Sequence, residues 1–178
     1  MSEISRYAEA EVPTEHGPFR TIVYRVNGDE HVALVRGDVA QKRDVLTRVH
    51  SECLTGEVFG SLKCDCRQQL FKAMQVIADA GRGVVVYLRQ EGRGIGLGDK
   101  IRAYALQELG KDTVEANLAL GFAADPRSYE IAAQILADLE VGSVALMTNN
   151  PDKLAGLAQA GVDIAQHVSH WVSGHEHA

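Results

Sequence analysis

The sequence predicts an α/β fold: a mixed, partly parallel sheet covered by helices, with a β-rich N-terminal part, in one domain spanning residues 1–178. Three observations carry this. The first fifty residues hold short β-rich runs separated by turn residues. After Cys66 the apolar positions switch to helical spacing. From Gly83 onward, short apolar runs alternate with amphipathic ones, the pattern of parallel strands covered by helices. With 178 residues and 46% hydrophobic content, the chain is long enough for one well-buried core and short for two.

Taken in order, FRTIVYRV, HVALVRG and DVLTRVH read as strands, with Asn27, Gly28 and Asp29 forming a tight connection. Cys66, Leu70, Ala73, Met74, Ile77 and Ala78 then recur at helical spacing, and Gly81 and Gly83 are stop signals. GVVVYL reads as a buried strand. Leu97, Ile101, Tyr104 and Ala105 form the apolar stripe of a second helix. The alternation continues with helix YEIAAQILADL, strand SVALMT, helix PDKLAGLAQAG and a strand-like VDIAQHV. There is no internal repeat, heptad run or low-complexity segment. The polar end, from about residue 170 and including His175 and His177, is expected to be a mobile, solvated tail.

A net charge of −6 argues against nucleic-acid and membrane partners, which favour a basic excess. An anionic ligand must therefore be held by a local cluster of Arg and Lys. No apolar run reaches the length of a membrane span, and MSEISRYAEAEVPT lacks a basic and then apolar signal pattern, so a cytoplasmic location with reduced thiols is expected.

All three cysteines, Cys53, Cys64 and Cys66, fall within HSECLTGEVFGSLKCDCRQQL. Polar neighbours set this trio apart from buried core cysteines, which remain one reading. A second reading is a catalytic zinc with three protein ligands and an open fourth position. A third is a closed structural site completed by His50, three residues before Cys53.

Three further segments carry candidate chemistry. In RQEGRGIGLGDKIRAYAL, glycines allow close approach of backbone to a ligand, and Arg89, Glu91 and Arg93 alternate beside the loop. The spacing fits neither a dinucleotide fingerprint nor a phosphate-binding lysine loop. In DTVEANLALGFAADPRSYEI, Asp125 and Arg127 bracket Pro126 before a helix. Asp125 there is either a helix cap or a proton acceptor, and Arg127 suits a phosphate. In MTNNPDKLAGL, Thr148 and Lys153 stand where a strand gives way to a helix, with Asn-Pro capping as the structural alternative.

Taken together and in order, RVHSECLTGEVFGSLKCDC, RQEGRGIGL, KIRAYALQELGKDTVEANLALGF, DPRSYEIAAQIL and LMTNNPDK closely resemble GTP cyclohydrolase II of riboflavin biosynthesis. The likeness runs from about Ile22 to about Val162 and suggests the single-function form. It implies a zinc-dependent hydrolase that opens the guanine imidazole ring of GTP and releases formate and pyrophosphate. The product would be 2,5-diamino-6-(ribosylamino)-pyrimidin-4-one 5'-phosphate. The resemblance implies Cys53, Cys64 and Cys66 as zinc ligands, Tyr104 near the attacked carbon, Asp125 as proton acceptor and Arg127 at the α-phosphorus. It further implies GTP contacts from Arg48, Val49, His50, Ser51, Glu52, Gln69, Glu91, Gly92, Arg93, Thr113, Thr148 and Lys153. Glu91 or Glu52 would read guanine through its N1–H and amino donors. Mg²⁺ bound with the triphosphate and a homodimer are implied likewise. Rival readings are a family variant that retains the formyl group and a non-catalytic guanine-nucleotide-binding protein with structural zinc.

The chain departs from the family pattern in three places. Arg67 and Gln68 stand where a small residue and often Pro are usual, Gly98 and Asp99 replace Leu-Asn, and AQHVSHWVSGHEHA replaces a longer tail.

Overall fold

The computed structural model describes residues 3–122 and 129–172. A seven-stranded sheet has the order β1-β2-β3-β5-β4-β6-β7. β1 (Ser5–Thr14), β2 (Gly17–Val26) and β3 (Asp29–Arg36) form an antiparallel meander, and β3 pairs antiparallel with β5 (Gly83–Leu88). From there the pairing is parallel: β5 with β4 (Val45–Ser51), β4 with β6 (Val144–Met147), and β6 with β7 (Ile164–Val168). This is the mixed, partly parallel sheet that the sequence predicts.

Parallel neighbours need crossovers, and these supply the helical layers. Helix α2 (Cys66–Ala80) joins β4 to β5 and buries Ala73, Met74 and Ile77 against Phe19, Val85 and Met147. On the opposite face, α5 (Glu130–Asp138) and α6 (Pro151–Gln159) bury Ile135, Leu136 and Leu157 against Val84, Val86 and Leu146. Val84, Val85 and Val86 thus alternate between the two faces as a strand's period of two requires. Covered on both sides, β5 has no solvent face, which is why GVVVYL is continuously apolar. The stop signal at Gly81 is met: it adopts φ 76° and its N–H donates to the Ile77 and Ala78 carbonyls.

Strand β1 has no counterpart in the sequence-based expectation. Nine of its ten positions are exposed, so SRYAEAEVPT lacks the alternation that marks a half-buried strand. Two short helices were also not anticipated: α1 (Leu54–Glu57) and α4 (Thr113–Ala119). Helix α4 is opened by a capping box in which Asp112 accepts from the Glu115 N–H (2.7 Å) while Glu115 accepts from the Asp112 N–H (3.0 Å).

The helix anticipated from the stripe Leu97, Ile101, Tyr104 and Ala105 exists as α3 (Leu97–Glu108), but it is rotated away from that stripe. Its buried residues are Lys100 and Ala103, whereas Leu97 and Ile101 are 39% and 47% exposed. The inward face carries an ammonium because a part-buried carboxylate, Glu91, meets it. His170, at the start of the expected tail, is buried, its N–H donating to Asn149 Oδ1 (2.7 Å), while His175 and His177 lie outside the described residues.

Candidate active site

Strands β4, β5 and β6 run parallel, so their carboxyl ends open on one edge of the sheet, the usual place for a ligand in such folds. β4 leads to Cys53 and α1, β5 leads to the turn Glu91–Gly94, and β6 leads to Thr148, Asn149 and the N-cap Asn150. Asn150 Oδ1 accepts from the Asp152 N–H (2.9 Å), so the Asn-Pro cap expected from the sequence is present.

At this edge the Sγ atoms of Cys53, Cys64 and Cys66 all lie within 4.8 Å of one another, with Cys53 and Cys64 at 3.5 Å. A tetrahedral centre with metal–sulfur bonds of about 2.3 Å separates its sulfurs by about 3.8 Å, so the trio could hold a metal ion with little adjustment. Gly56 of α1 makes room for it. A Cβ there would stand 2.6 Å from Cys64 Sγ, 3.2 Å from Cys53 Sγ and 3.3 Å from Cys66 Cβ. The thiols are electrostatically unequal. Hydrogen bonds from Cys64 and then Cys66, with help from Lys100, hold Cys53 well below the usual thiol range. Cys64 and Cys66 are pushed up, first by their bonds to Cys53. Three sulfurs this close cannot all ionise without a cation among them, which is the donor set of a metal site.

His50 does not complete the set. Among the described residues, the candidate metal group contains the three cysteines and no histidine. The His50 ring is buried and stacked on Tyr87, and its Nε2 is held by Glu57, which also accepts from the Tyr87 hydroxyl. Burial lowers the pKa of His50 below the usual histidine range, against the pull of Glu57. The neutral ring then donates Nε2–H to the carboxylate.

Around this centre lies a cavity of about 470 Å³ whose wall includes Arg48, Lys63, Arg93, Lys100 and Lys153 beside Glu52, Asp65 and Glu91. An acidic chain has thus collected five cations around one hollow, the local cluster that an anionic ligand needs. Arg48 donates to the Met147 carbonyl (3.1 Å) and to Gln69 Oε1 (2.5 Å), and Gln69 Nε2 donates to Asp65 Oδ1 (2.7 Å). That chain of bonds ties β4 to the turn between Cys64 and Cys66. Lys153 donates to the Val49 carbonyl (2.9 Å).

Of the residues anticipated from the sequence, Arg48, His50, Ser51, Glu52, Cys53, Cys66, Gln69, Glu91, Gly92, Arg93, Tyr104, Thr113, Thr148 and Lys153 all line the cavity. Val49 is fully buried and presents only its carbonyl to Lys153, and Cys64 stands behind the wall beside Gly56. Asp125 and Arg127 lie outside the described residues. The two glutamates proposed to read guanine differ. Glu91 Oε1 accepts from Lys100 Nζ (2.6 Å) and the Gly92 N–H (2.9 Å), and its Oε2 accepts from the Leu54 N–H (2.8 Å). Glu52 has a looser partner, Arg89 Nε at 3.5 Å.

Sequence reasoning missed Lys63, Asp65, Lys100, Asn117 and Trp171 on the cavity wall. Lys63 and Asp65 were visible as charges flanking Cys64, whereas Lys100 was hidden by the apolar stripe on its helix. Trp171 sat in a segment read as a tail. Its carbonyl accepts from Lys72 Nζ, and His170 Nε2 bonds the Gln69 carbonyl (2.8 Å). Of the three departures from the family pattern, the first two stay off the wall, while the third brings Trp171 onto it.

The family model described as GTP cyclohydrolase II matches residues 5–169. "GTP cyclohydrolase-2" of Histophilus somni is 54% identical over 170 residues, covering 94% of this chain and 79% of that protein. "Riboflavin biosynthesis protein RibBA" of Salinispora tropica is 56% identical over 176 residues, covering 97% of this chain and 44% of that protein. The protein of the same name from Mycobacterium avium is 57% identical over 172 residues, covering 93% and 40%. The chain therefore spans less than half the length of these RibBA relatives. Since the family match extends from the first strand of the sheet through the last and takes in the whole cysteine centre, the chain belongs to the GTP cyclohydrolase II family.

Proposed function

We propose that the protein is a zinc-dependent hydrolase of GTP, acting in riboflavin biosynthesis, that opens the guanine imidazole ring and releases formate and pyrophosphate. The observation that carries this reading is one cavity walled by both a trio of metal-ready cysteines and a cluster of cations. Chemistry on the base and chemistry on the triphosphate need these two kinds of group within one ligand's length. A zinc ion on Cys53, Cys64 and Cys66 would supply a Lewis acid and a bound water with its pKa lowered toward about 7. The overall reaction consumes three waters: one to open the ring, one to free formate and one to replace pyrophosphate.

The chain's own residues bind, orient and carry protons. Glu52 accepts from the guanine N1–H and amino group, in preference to Glu91, whose oxygens already serve Lys100, Gly92 and Leu54. Tyr104, on the wall with Lys63 Nζ 5.0 Å from its ring centre, orients water or gives a proton at the attacked carbon. Arg48, Arg93 and Lys153 meet phosphate oxygens. Arg127 stabilises the departing pyrophosphate, a simpler role than nucleophile for a guanidinium that stays protonated, and Asp125 accepts a proton. Mg²⁺ bound with the triphosphate would neutralise part of its charge and would need few ligands from the chain.

Assembly and location belong to the same proposal. Leu97 and Ile101 on α3 and Val114 and Leu118 on α4 are exposed apolar side chains, which supports a homodimer. Among the described residues no helix is long and apolar enough to cross a membrane, and a cytoplasmic enzyme is the reading we adopt.

The test is to incubate the zinc-loaded protein with GTP and Mg²⁺ and to assay formate, pyrophosphate and the pyrimidine by mass. Release of formate and pyrophosphate together with the diaminopyrimidine product is expected. A product that keeps its formyl group would move the proposal to the ring-opening variant. Bound zinc with no turnover would overturn it in favour of a nucleotide-binding protein.

A further inference from the structure

We propose that Lys100 is a positioning residue for the metal centre, an N–H···S donor to Cys53 that sets how that sulfur presents itself to a bound cation. The inference rests on the reading of the three cysteines as a metal site and goes beyond it. Lys100 Nζ lies 3.1 Å from Cys53 Sγ and 2.6 Å from Glu91 Oε1, and the residue is 9% exposed. A buried ammonium is costly unless its protons are used, and here two strong acceptors use them.

The geometry forms a closed circuit. Glu91 accepts from Lys100 through Oε1 and from the Leu54 N–H through Oε2, and Leu54 follows Cys53 in the chain. The helix after the glycine turn is thereby clamped to the loop that carries the first thiol. The turn is shaped for the lysine: Gly92 sits at φ 61°, and a Cβ there would approach Lys100 Cβ to 2.9 Å. Because Glu91 offsets the positive charge, the effect on the centre is local and directional. A thiolate that accepts a hydrogen bond donates less electron density to its metal. The metal is left more acidic, and the sulfur is held where the other two can share the ion.

The test compares Lys100→Met, which keeps length but removes every donor, with Lys100→Arg, which keeps donors. Zinc affinity by chelator competition and the sulfur-to-metal charge-transfer band of the Co²⁺-loaded protein are the readouts. Lys100→Met is expected to bind zinc roughly 10- to 100-fold more weakly, the usual cost of losing such a partner, with its band shifted to lower energy. Lys100→Arg should stay close to the wild type on both. If Lys100→Met does not fold, Lys100→Gln, which keeps a neutral donor, replaces it with an intermediate shift expected. Wild-type affinity and an unmoved band in the donor-less variant would overturn the proposal. Failure of the wild-type protein to bind either ion would overturn the metal reading itself, and this inference with it.

Discussion

Replacing Gly56 with alanine puts the cysteine centre to a steric test. The added Cβ would stand 2.6 Å from Cys64 Sγ and 3.2 Å from Cys53 Sγ, where an ordinary contact is roughly 3.5–4.0 Å. About 1 Å must be found. The α1 backbone is a poor source, because the Glu57 N–H is bonded to the Cys53 carbonyl (2.8 Å) and the Val58 N–H to the Leu54 carbonyl (3.0 Å). The sulfur must therefore move. In the metal-free protein it can do so by turning its side chain, but a metal bond of about 2.3 Å forbids this. Overpacking of this kind costs about 1–3 kcal/mol. Borne by the loaded state alone, that is about a 5- to 150-fold loss of zinc affinity. The helix-propensity gain of alanine over glycine, up to about 1 kcal/mol, is common to both states and cancels. Chelator competition measures the effect. Gly98→Ala is the control, because nothing lies within 4 Å of its added Cβ, and it should leave zinc affinity unchanged. A Gly56→Ala protein that binds zinc as tightly as the wild type would refute the claim that these three sulfurs share one ion.

Trp171, the chain's single tryptophan, lines the cavity at 53% exposure. A non-hydrolysable GTP analogue should change its fluorescence saturably, and an unchanged spectrum at saturation would remove this residue from the site. His170, just before it, has its pKa lowered to about 4, by burial first and then by the nearby Arg48 charge. The folded protein thus binds a proton there less readily than the unfolded chain, whose histidine titrates near about 6.5. Its contribution to stability is complete above that value and is lost as pH falls toward about 4. Tryptophan emission followed over this window should report release of the segment, and His170→Gln should flatten the profile. Glu52→Gln should lower kcat/KM for GTP by roughly 10- to 100-fold, the worth of a hydrogen bond to a charged group. It should also narrow the preference for GTP over inosine triphosphate, which lacks the amino donor. Full retention of that preference would return the role to Glu91.

How far the site could be read from sequence depended on the kind of signal each residue leaves. The sheet's parallel half was legible because GVVVYL and SVALMT are buried on both faces and so are unbroken apolar runs. Strand β1 was not, because an edge strand with nine exposed positions carries no hydrophobic alternation. The cysteines announced themselves by chemistry and clustering. The capping box at Asp112 and Glu115 was in plain view as D-x-x-E, and was passed over because no long apolar run followed it.

Helix α3 shows why the remainder stayed hidden. Its apolar residues are spaced as for a core-facing stripe, and a rule that sends apolar side chains inward puts Leu97 and Ile101 under cover. The rule assumes that the helix packs on a hydrocarbon surface. At this edge of the sheet the surface is a carboxylate and a thiol, Glu91 and Cys53, and the face that complements it is the one with Lys100. This rotation leaves Leu97 and Ile101 exposed on α3, as Val114 and Leu118 are on α4, so the orientation that brings Lys100 to Cys53 also leaves apolar side chains outside the cavity. A site residue that breaks the local pattern is what a functional demand produces when it outranks packing. The proposed role of Lys100 and the proposed homodimer are therefore linked. If Lys100→Met allowed α3 to turn Leu97 and Ile101 inward, their exposure and the cysteine clamp would be lost together, and formation of the proposed homodimer would fall in step with zinc affinity.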